Sequence, residues 1–431
     1  MFKEAGYEPV VIVCESFEAP KDTIFADCKL AYIPNVSVST EAKQDLSFET
    51  DIEFLKQSLK AIIEEHELEV ILTHDLIFLP DYVKHRIACL DLVNDFPKLR
   101  WLHWVHSATS PGSLIEERKN FEDKYKEMLG QKFPNSLLVF PNSGDIPRVA
   151  RNFGFEEDEV VCVPHSSDFV SYNKLEPVVE RLVKDKGLLD KDVVMVYPLR
   201  MDRGKQPHVL VDIAYAVKSR GLSVAVIYAD FQSTGGDKVT YHQEILRRAD
   251  DLDLRDDITF MSDFDAGSEM DSSQHVVSYL FMISNFFILP SQSETYSLVA
   301  QEAMMKGNFC ILNHDFMPMR TVYEDKAIYK QFSANIGFDG YDGSITTTHS
   351  DPEAYYADIA NYIHYVLDTN KVIKGRTFVR KERNPNAVFR NFLEPLLSAG
   401  EENYNDNNNE VDNNQKLYGN DNININNDSP K

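Results

Sequence analysis

The chain has 431 residues, the length of two or three ordinary domains or one large one. It is 43% apolar and 11% aromatic, enough for real cores, and its formal charge of −25 (44 Lys and Arg against 69 Asp and Glu) disfavours duplex DNA or anionic membrane as partners. No stretch nears eighteen consecutive apolar residues, and MFKEAGYEPVVIVCES has early acidic residues and only a short apolar run, so neither a transmembrane segment nor a signal peptide is read. The five cysteines stand apart with no C-x-x-C pair, which argues against a disulfide framework or a cysteine-rich zinc site and for a cytoplasmic setting.

In chain order, the first strand candidates are 9–14, 68–73, 99–105, 136–140 and 160–163. A second series follows at 193–198, 222–229, 258–261, 285–290 and 308–313. Helical periods fill the intervals: Ile52–Ile63, Gly112–Leu129, the charged stretch Val178–Lys186, Val209–Lys218 and Val276–Ser284. Runs that are apolar throughout suit parallel strands covered on both faces, and strand–helix repetition predicts an α/β fold with crossover connections. The expectation is two Rossmann-like, doubly wound domains facing a cleft, divided near residue 190, with ligands at the carboxyl ends of strands. A helix is read over Ala387–Ser398. From residue 401 onward, 12 Asn, seven acidic residues and two lysines among 31 residues predict a disordered tail.

Two passages carry chemistry. In YPLRMDRGKQPHVLVDIAYAV a strand ends at Arg200, and Lys205 stands five residues later before a helix. Two fixed cations at a strand-to-helix turn suit a diphosphate, since a helix start adds unpaired N–H donors; a solvated loop is the plainer alternative. In ILPSQSETYSLVAQEAMMKGNFCILNHDF a strand ends in Pro290-Ser291 and a helix runs from near Thr295 to Gly307. Glu294 at its mouth and Glu302, eight helical steps on, are expected on one face, with Leu298, Val299 and Ala303 packing inward. A carboxylate among apolar neighbours needs partners, and sugar hydroxyls qualify; a structural Glu capping a loop is the alternative.

Together these passages resemble the C-terminal half of retaining GT-B glycosyltransferases of family four. That family has Gly-Arg-Leu with Lys five after the Arg, then Pro-Ser-x-x-Glu-Gly-Phe-Gly-Leu-x-x-x-Glu-Ala-Met-Ala-x-Gly. Here stand Leu199-Arg200-Met201 with Lys205, then Pro290-Ser291, Glu294, Leu298, Glu302-Ala303-Met304 and Gly307. The resemblance implies that Arg200 and Lys205 hold the diphosphate of a nucleotide sugar, with the backbone amides of Tyr296, Ser297 and Leu298. It implies that Glu302 takes the ribose hydroxyls and Glu294 the donor sugar. The strand end WLHWVHSATSPG resembles the family's strand whose terminal His points at the donor sugar, which assigns that part to His106; His103, on the opposite face, reads as a core histidine. Pro164-His165-Ser166-Ser167-Asp168 resembles the family's Pro-Asn-Gly-Val-Asp.

The implied domains are 1–190 for the acceptor, 191–383 for the donor, 384–400 as the returning helix and 401–431 as the tail. The implied activity is transfer of a hexose to an unassigned acceptor, with no metal and no cofactor beyond the nucleotide sugar. Rivals are a weakly catalytic nucleotide-sugar-binding protein, a GT-B epimerase and a nucleic-acid-modifying transferase; the charge makes nucleic acid an unlikely partner. The sequence departs from the pattern at Leu199, at Thr295-Tyr296-Ser297, around Asp315–Met319, and at its start, where the family's first strand and glycine loop have no counterpart. KVIKGRTFVRKER (371–383) reads as a solvated helix docked by Phe378 and Val379, Gly235-Gly236 as a loop tip, and His314-Asp315 as adjacent side chains facing apart.

Overall fold

The computed structural model describes residues 2–19, 28–36, 46–109, 122–230, 238–265, 273–292, 294, 296–332 and 349–398. These form two compact units, Met1–His165 with the chain from residue 388 onward, and Ser166–Ala387.

In the first unit β1 (Val10–Cys14) pairs in parallel with β2 (Lys29–Ile33), while β3 (Val70–His74), β4 (Arg100–Trp104), β5 (Ser136–Phe140) and β6 (Val160–Cys162) form a second parallel sheet in that order. The expected single doubly wound sheet is therefore two sheets among the described residues. Neither β1 nor β3 is fully buried anywhere along its length, as befits strands open on one edge. The helix Phe48–Glu65 turns Ile52, Leu55, Leu59 and Ile62 inward, at the three- and four-residue spacing of one helical face. They share a core with Trp101, Leu138 and the helix Val83–Leu92. On the other face Leu102, Trp104, Val139 and Val163 pack with Val388 and Leu396. Arg100 donates to Leu396 O (2.9 Å) and Leu397 O (2.5 Å), so the returning C-terminal helix belongs to this unit.

The second unit is one parallel sheet of β7 (Val193–Tyr197), β8 (Val224–Tyr228), β9 (Ile258–Phe260), β10 (Phe286–Leu289), β11 (Phe309–Asn313) and β12 (Ile328–Lys330), in the order β12-β11-β10-β7-β8-β9. Every residue of β7, β8 and β10 is buried, the environment their unbroken apolar runs imply. Helix Val209–Lys218 covers one face, and Phe281 with Leu182 covers the other.

Further expectations change. The boundary falls between His165 and Ser166 and not near residue 190, because Val179, Leu182 and Val183 of the helix Pro177–Asp185 pack on Val194 and Val196 of β7. Strands β2 and β12 were not anticipated. In the helix Lys371–Glu382, Ile373 and Arg380 point inward, whereas Phe378 and Val379 are 39% and 42% exposed. Arg380 donates to Leu188 O (2.5 Å), Leu189 O (3.2 Å) and Lys191 O (2.6 Å), fixing the segment before β7. Of the helix expected over Gly112–Leu129, the described part is Asp123–Gly130. Residues 110–121, Gly235-Gly236, Thr295 and the tail lie outside the described residues.

Candidate functional site

The strand order of the second unit reverses between β7 and β10, so crossovers leave these neighbours in opposite directions and open a crevice beyond their carboxyl ends. The segment after β7 reaches a single tight turn at Arg203–Lys205, and the segment after β10 runs to the helix Leu298–Met305. The two are joined directly. Gln292 N–H donates to Gly204 O at 3.0 Å, and the Lys205 ammonium donates to Glu294 Oε1 at 2.6 Å, with the side chains 12% and 11% exposed. The buried Tyr197 hydroxyl holds the turn by donating to Lys205 O at 2.5 Å. Burial pushes that phenol well above its ordinary range, so it stays a proton donor.

Arg200 is half-exposed and turns its Nε toward Asp202 Oδ2 at 3.3 Å. The structure thus brings Lys205 and Glu294 into contact, while Arg200 is held by its own loop. Glu294 precedes the helix, so the eight-step argument that put it on one helical face with Glu302 does not hold: the helix starts at Leu298. Glu302 is half-buried, and among the described residues its carboxylate has no hydrogen bond or ion pair. Leu298, expected to pack inward, is 66% exposed; Ala300 and Ala303 do the packing.

Ser297 stands where the resemblance places a glycine, and its backbone keeps a glycine's conformation, φ 60° and ψ 77°. The Tyr323 hydroxyl braces it, donating to Ser297 O (2.6 Å) and lying 3.0 Å from Tyr296 O. Ser297 Oγ is buried with no partner among the described residues, and the N–H groups of Tyr296, Ser297 and Leu298 make no backbone hydrogen bond there. Tyr296 is exposed, its hydroxyl accepting from Gln301 at 2.8 Å.

Sequence reasoning missed Asn313, buried at the end of β11, whose Nδ2 lies 3.2 Å from both Pro290 O and Ser291 O and pins the segment carrying Glu294. Its signal was a polar residue closing an apolar strand run. His314 and Asp315 do not face apart: Nδ1 lies 3.2 Å from Oδ1. Among the described residues no group of three or more His, Cys, Asp or Glu is placed to hold a metal ion.

In the first unit His103 is the core residue expected. It is 1% exposed, its Nδ1 lies 2.9 Å from Thr73 Oγ1, and burial followed by the Arg86 charge pushes its pKa down to about 3. His106 is exposed just beyond β4, and its backbone N–H donates to Asp75 Oδ1 at 3.0 Å. Asp168 Oδ1 accepts from Ser171 N–H at 3.0 Å and caps the helix Phe169–Asn173.

No protein-family profile matches the chain, and no curated protein sequence does. Solved structures similar to it include a glycosyltransferase from Rickettsia africae ESF-5, at 14% identity over 92% of each chain with a TM-score of 0.32. The Anabaena protein Alr3699/HepE, solved with UDP-glucose, is 16% identical over 90% of this chain and 92% of its own, with a TM-score of 0.31. Sucrose-phosphate synthase from Thermosynechococcus elongatus is 17% identical over 90% of this chain and 87% of its own, also at 0.31.

Proposed function

We propose that the chain is a retaining glycosyltransferase of the GT-B kind that moves a hexose from a nucleotide-diphosphate sugar to an acceptor. The observation that carries the reading is the Lys205–Glu294 pair at the point where the strand order of the second unit reverses. A cation there meets a diphosphate, and a carboxylate beside it meets sugar hydroxyls. Lys205 and Arg200 stabilise the charge that develops on the leaving diphosphate, and the N–H groups at Tyr296, Ser297 and Leu298, which make no backbone hydrogen bond among the described residues, add fixed dipoles. Glu302, with its carboxylate unengaged among the described side chains, takes the ribose hydroxyls. Glu294 exchanges part of its contact with Lys205 for the donor hexose. The leaving phosphate is the base for front-face attack, so the reading needs neither a protein nucleophile nor a metal or organic cofactor.

The test pairs Glu302→Gln with Glu294→Gln. Nucleoside diphosphate affinity falls about tenfold in the first, by the loss of a charged hydrogen-bond acceptor, and stays within about twofold in the second. Transfer from nucleotide sugar falls in both. Unchanged nucleoside diphosphate affinity in Glu302→Gln removes the ribose assignment.

A further inference from the structure

Beyond the donor loops, three histidines gather at the carboxyl ends of the first unit's parallel strands. His74 closes β3, His106 follows β4, and His165 follows β6. All three are exposed. The His74 and His106 rings lie within 4° of one plane, their centroids 5.5 Å apart and His74 Nδ1 3.3 Å from His106 Nε2. Rings so placed meet edge to edge, one donating an N–H to the other. The His165 ring lies 5.2 Å from that of His106, tilted by 19°, and parallel to the Trp104 indole at 6.2 Å. Asp75 fixes the start of the segment after β4: its backbone is left-handed, φ 53°, and its carboxylate accepts from the His106 N–H.

We propose that these strand ends form an oxyanion site in which His74, His106 and His165 hold a phosphate monoester. The paired nitrogens of His74 and His106 face one another and do not converge on a cation. The remaining ring N–H groups are donors, and each imidazole that takes up a proton adds a charge-assisted bond to a dianion. Asp75 is engaged by the His106 N–H, and after β5 Asp145 and Arg148 pair with each other at 2.9 Å. Partial desolvation against its neighbours, then His106 and more weakly His165, holds His74 below the ordinary imidazole range, with Asp75 opposing. A bound dianion offsets this repulsion, so binding takes up protons and strengthens as pH falls, until the phosphate itself becomes a monoanion near about pH 6. On the transfer reading above, the phosphate belongs to the acceptor; that assignment rests on the reading, whereas the anion site does not.

The test is a titration of the full-length chain, with histidine Cε1 labelled, using inorganic phosphate against sodium chloride and sodium acetate at matched ionic strength. The expected result is saturable movement of the His74, His106 and His165 resonances with phosphate alone and an upward shift of the His74 midpoint. His74→Gln and His165→Gln each weaken phosphate about tenfold, the cost of one charge-assisted bond. Shifts no larger than with chloride overturn the site, and equal response to acetate overturns the phosphate class. If phosphate affinity survives the His74→Gln/His165→Gln double variant but is lost in Lys205→Ala, the anion belongs to the donor loops. In that case this proposal fails while the donor reading stands. If instead the histidines respond and Lys205→Ala leaves nucleoside diphosphate affinity intact, the donor reading fails and the anion site stands.

Discussion

Replacing Lys205 with Ala perturbs two things at once, and the structure lets them be separated. The ammonium and the Glu294 carboxylate are 2.6 Å apart and roughly nine-tenths buried. Removing one partner of a buried pair leaves the other charged and unpaired, which costs about 3 kcal/mol for a pair with this little exposure. For a unit of roughly 200 residues that lowers the midpoint of thermal unfolding by about 6–12 °C. Independently, losing one cation from a developing diphosphate costs about 2–4 kcal/mol in the transition state, roughly 30- to 1000-fold in kcat/KM. The double variant Lys205→Ala/Glu294→Gln removes the stranded charge. It recovers most of the lost stability, because replacing both members of a buried pair is nearly neutral. It does not recover turnover. The measurements are calorimetric melting of the two variants and steady-state release of nucleoside diphosphate from a panel of nucleotide sugars. If the double variant regains turnover along with stability, Lys205 serves only to neutralise Glu294, and its assignment to the diphosphate is wrong.

At Ser297, φ 60° penalises a branched side chain, so Ser297→Val lowers stability by more than about 1 kcal/mol while Ser297→Gly stays within about 0.5 kcal/mol; urea unfolding distinguishes them. Arg380→Met leaves the carbonyls of Leu188, Leu189 and Lys191 without their donor and costs about 3 kcal/mol, whereas Phe378→Ala, at a 39% exposed position, costs under about 1 kcal/mol; equal effects would contradict the inward placement of Arg380. His103 predicts a pH dependence. With its folded pKa near 3, far below an unfolded histidine's, the unfolded chain binds the extra proton. Stability is then fully present above about pH 6.5 and is lost as pH falls, by about 1.4 kcal/mol per unit for one proton. Urea midpoints between pH 7 and 5.5 should fall more steeply for wild type than for His103→Asn, and matching slopes would remove the assignment.

Which parts of this fold were legible follows from what each residue's neighbours do to it. Ten strands could be read because both of their faces, or one face and the strand ends, meet apolar layers, and an unbroken run such as VVMVY has no other soluble use. β2 and β12 are invisible by the same rule. KLAYI exposes Lys29 and Tyr32, and IYK is only half-buried over three residues, so neither sequence separates a short edge strand from a loop. Helix 371–382 reads as solvated because its sequence is charged, yet charge does not imply exposure. Arg380 is buried by donating to carbonyls that the end of another segment leaves open, and no pattern in its own helix announces that need. At the candidate site, Arg200, Lys205, Glu294 and Glu302 were picked out by residue type and spacing, but spacing along a chain assumes a conformation. Counting eight helical steps from Glu294 presumed a helix through Ser297, where the backbone is left-handed and the helix has yet to begin. The contact that matters instead joins residues 89 apart in sequence, Lys205 and Glu294. What brings them together is the reversal of strand order between β7 and β10, a property of the whole sheet that no local window contains. The left-handed serine, the Tyr323 hydroxyl beneath it and the Asn313 amide behind Pro290 then hold Glu294 short of the helix. A carboxylate held there meets Lys205 of the turn after β7, whereas one carried on the helix would turn with it. At position 297 the serine takes a left-handed conformation that glycine adopts without strain, and its side chain adds a buried hydroxyl to the loop.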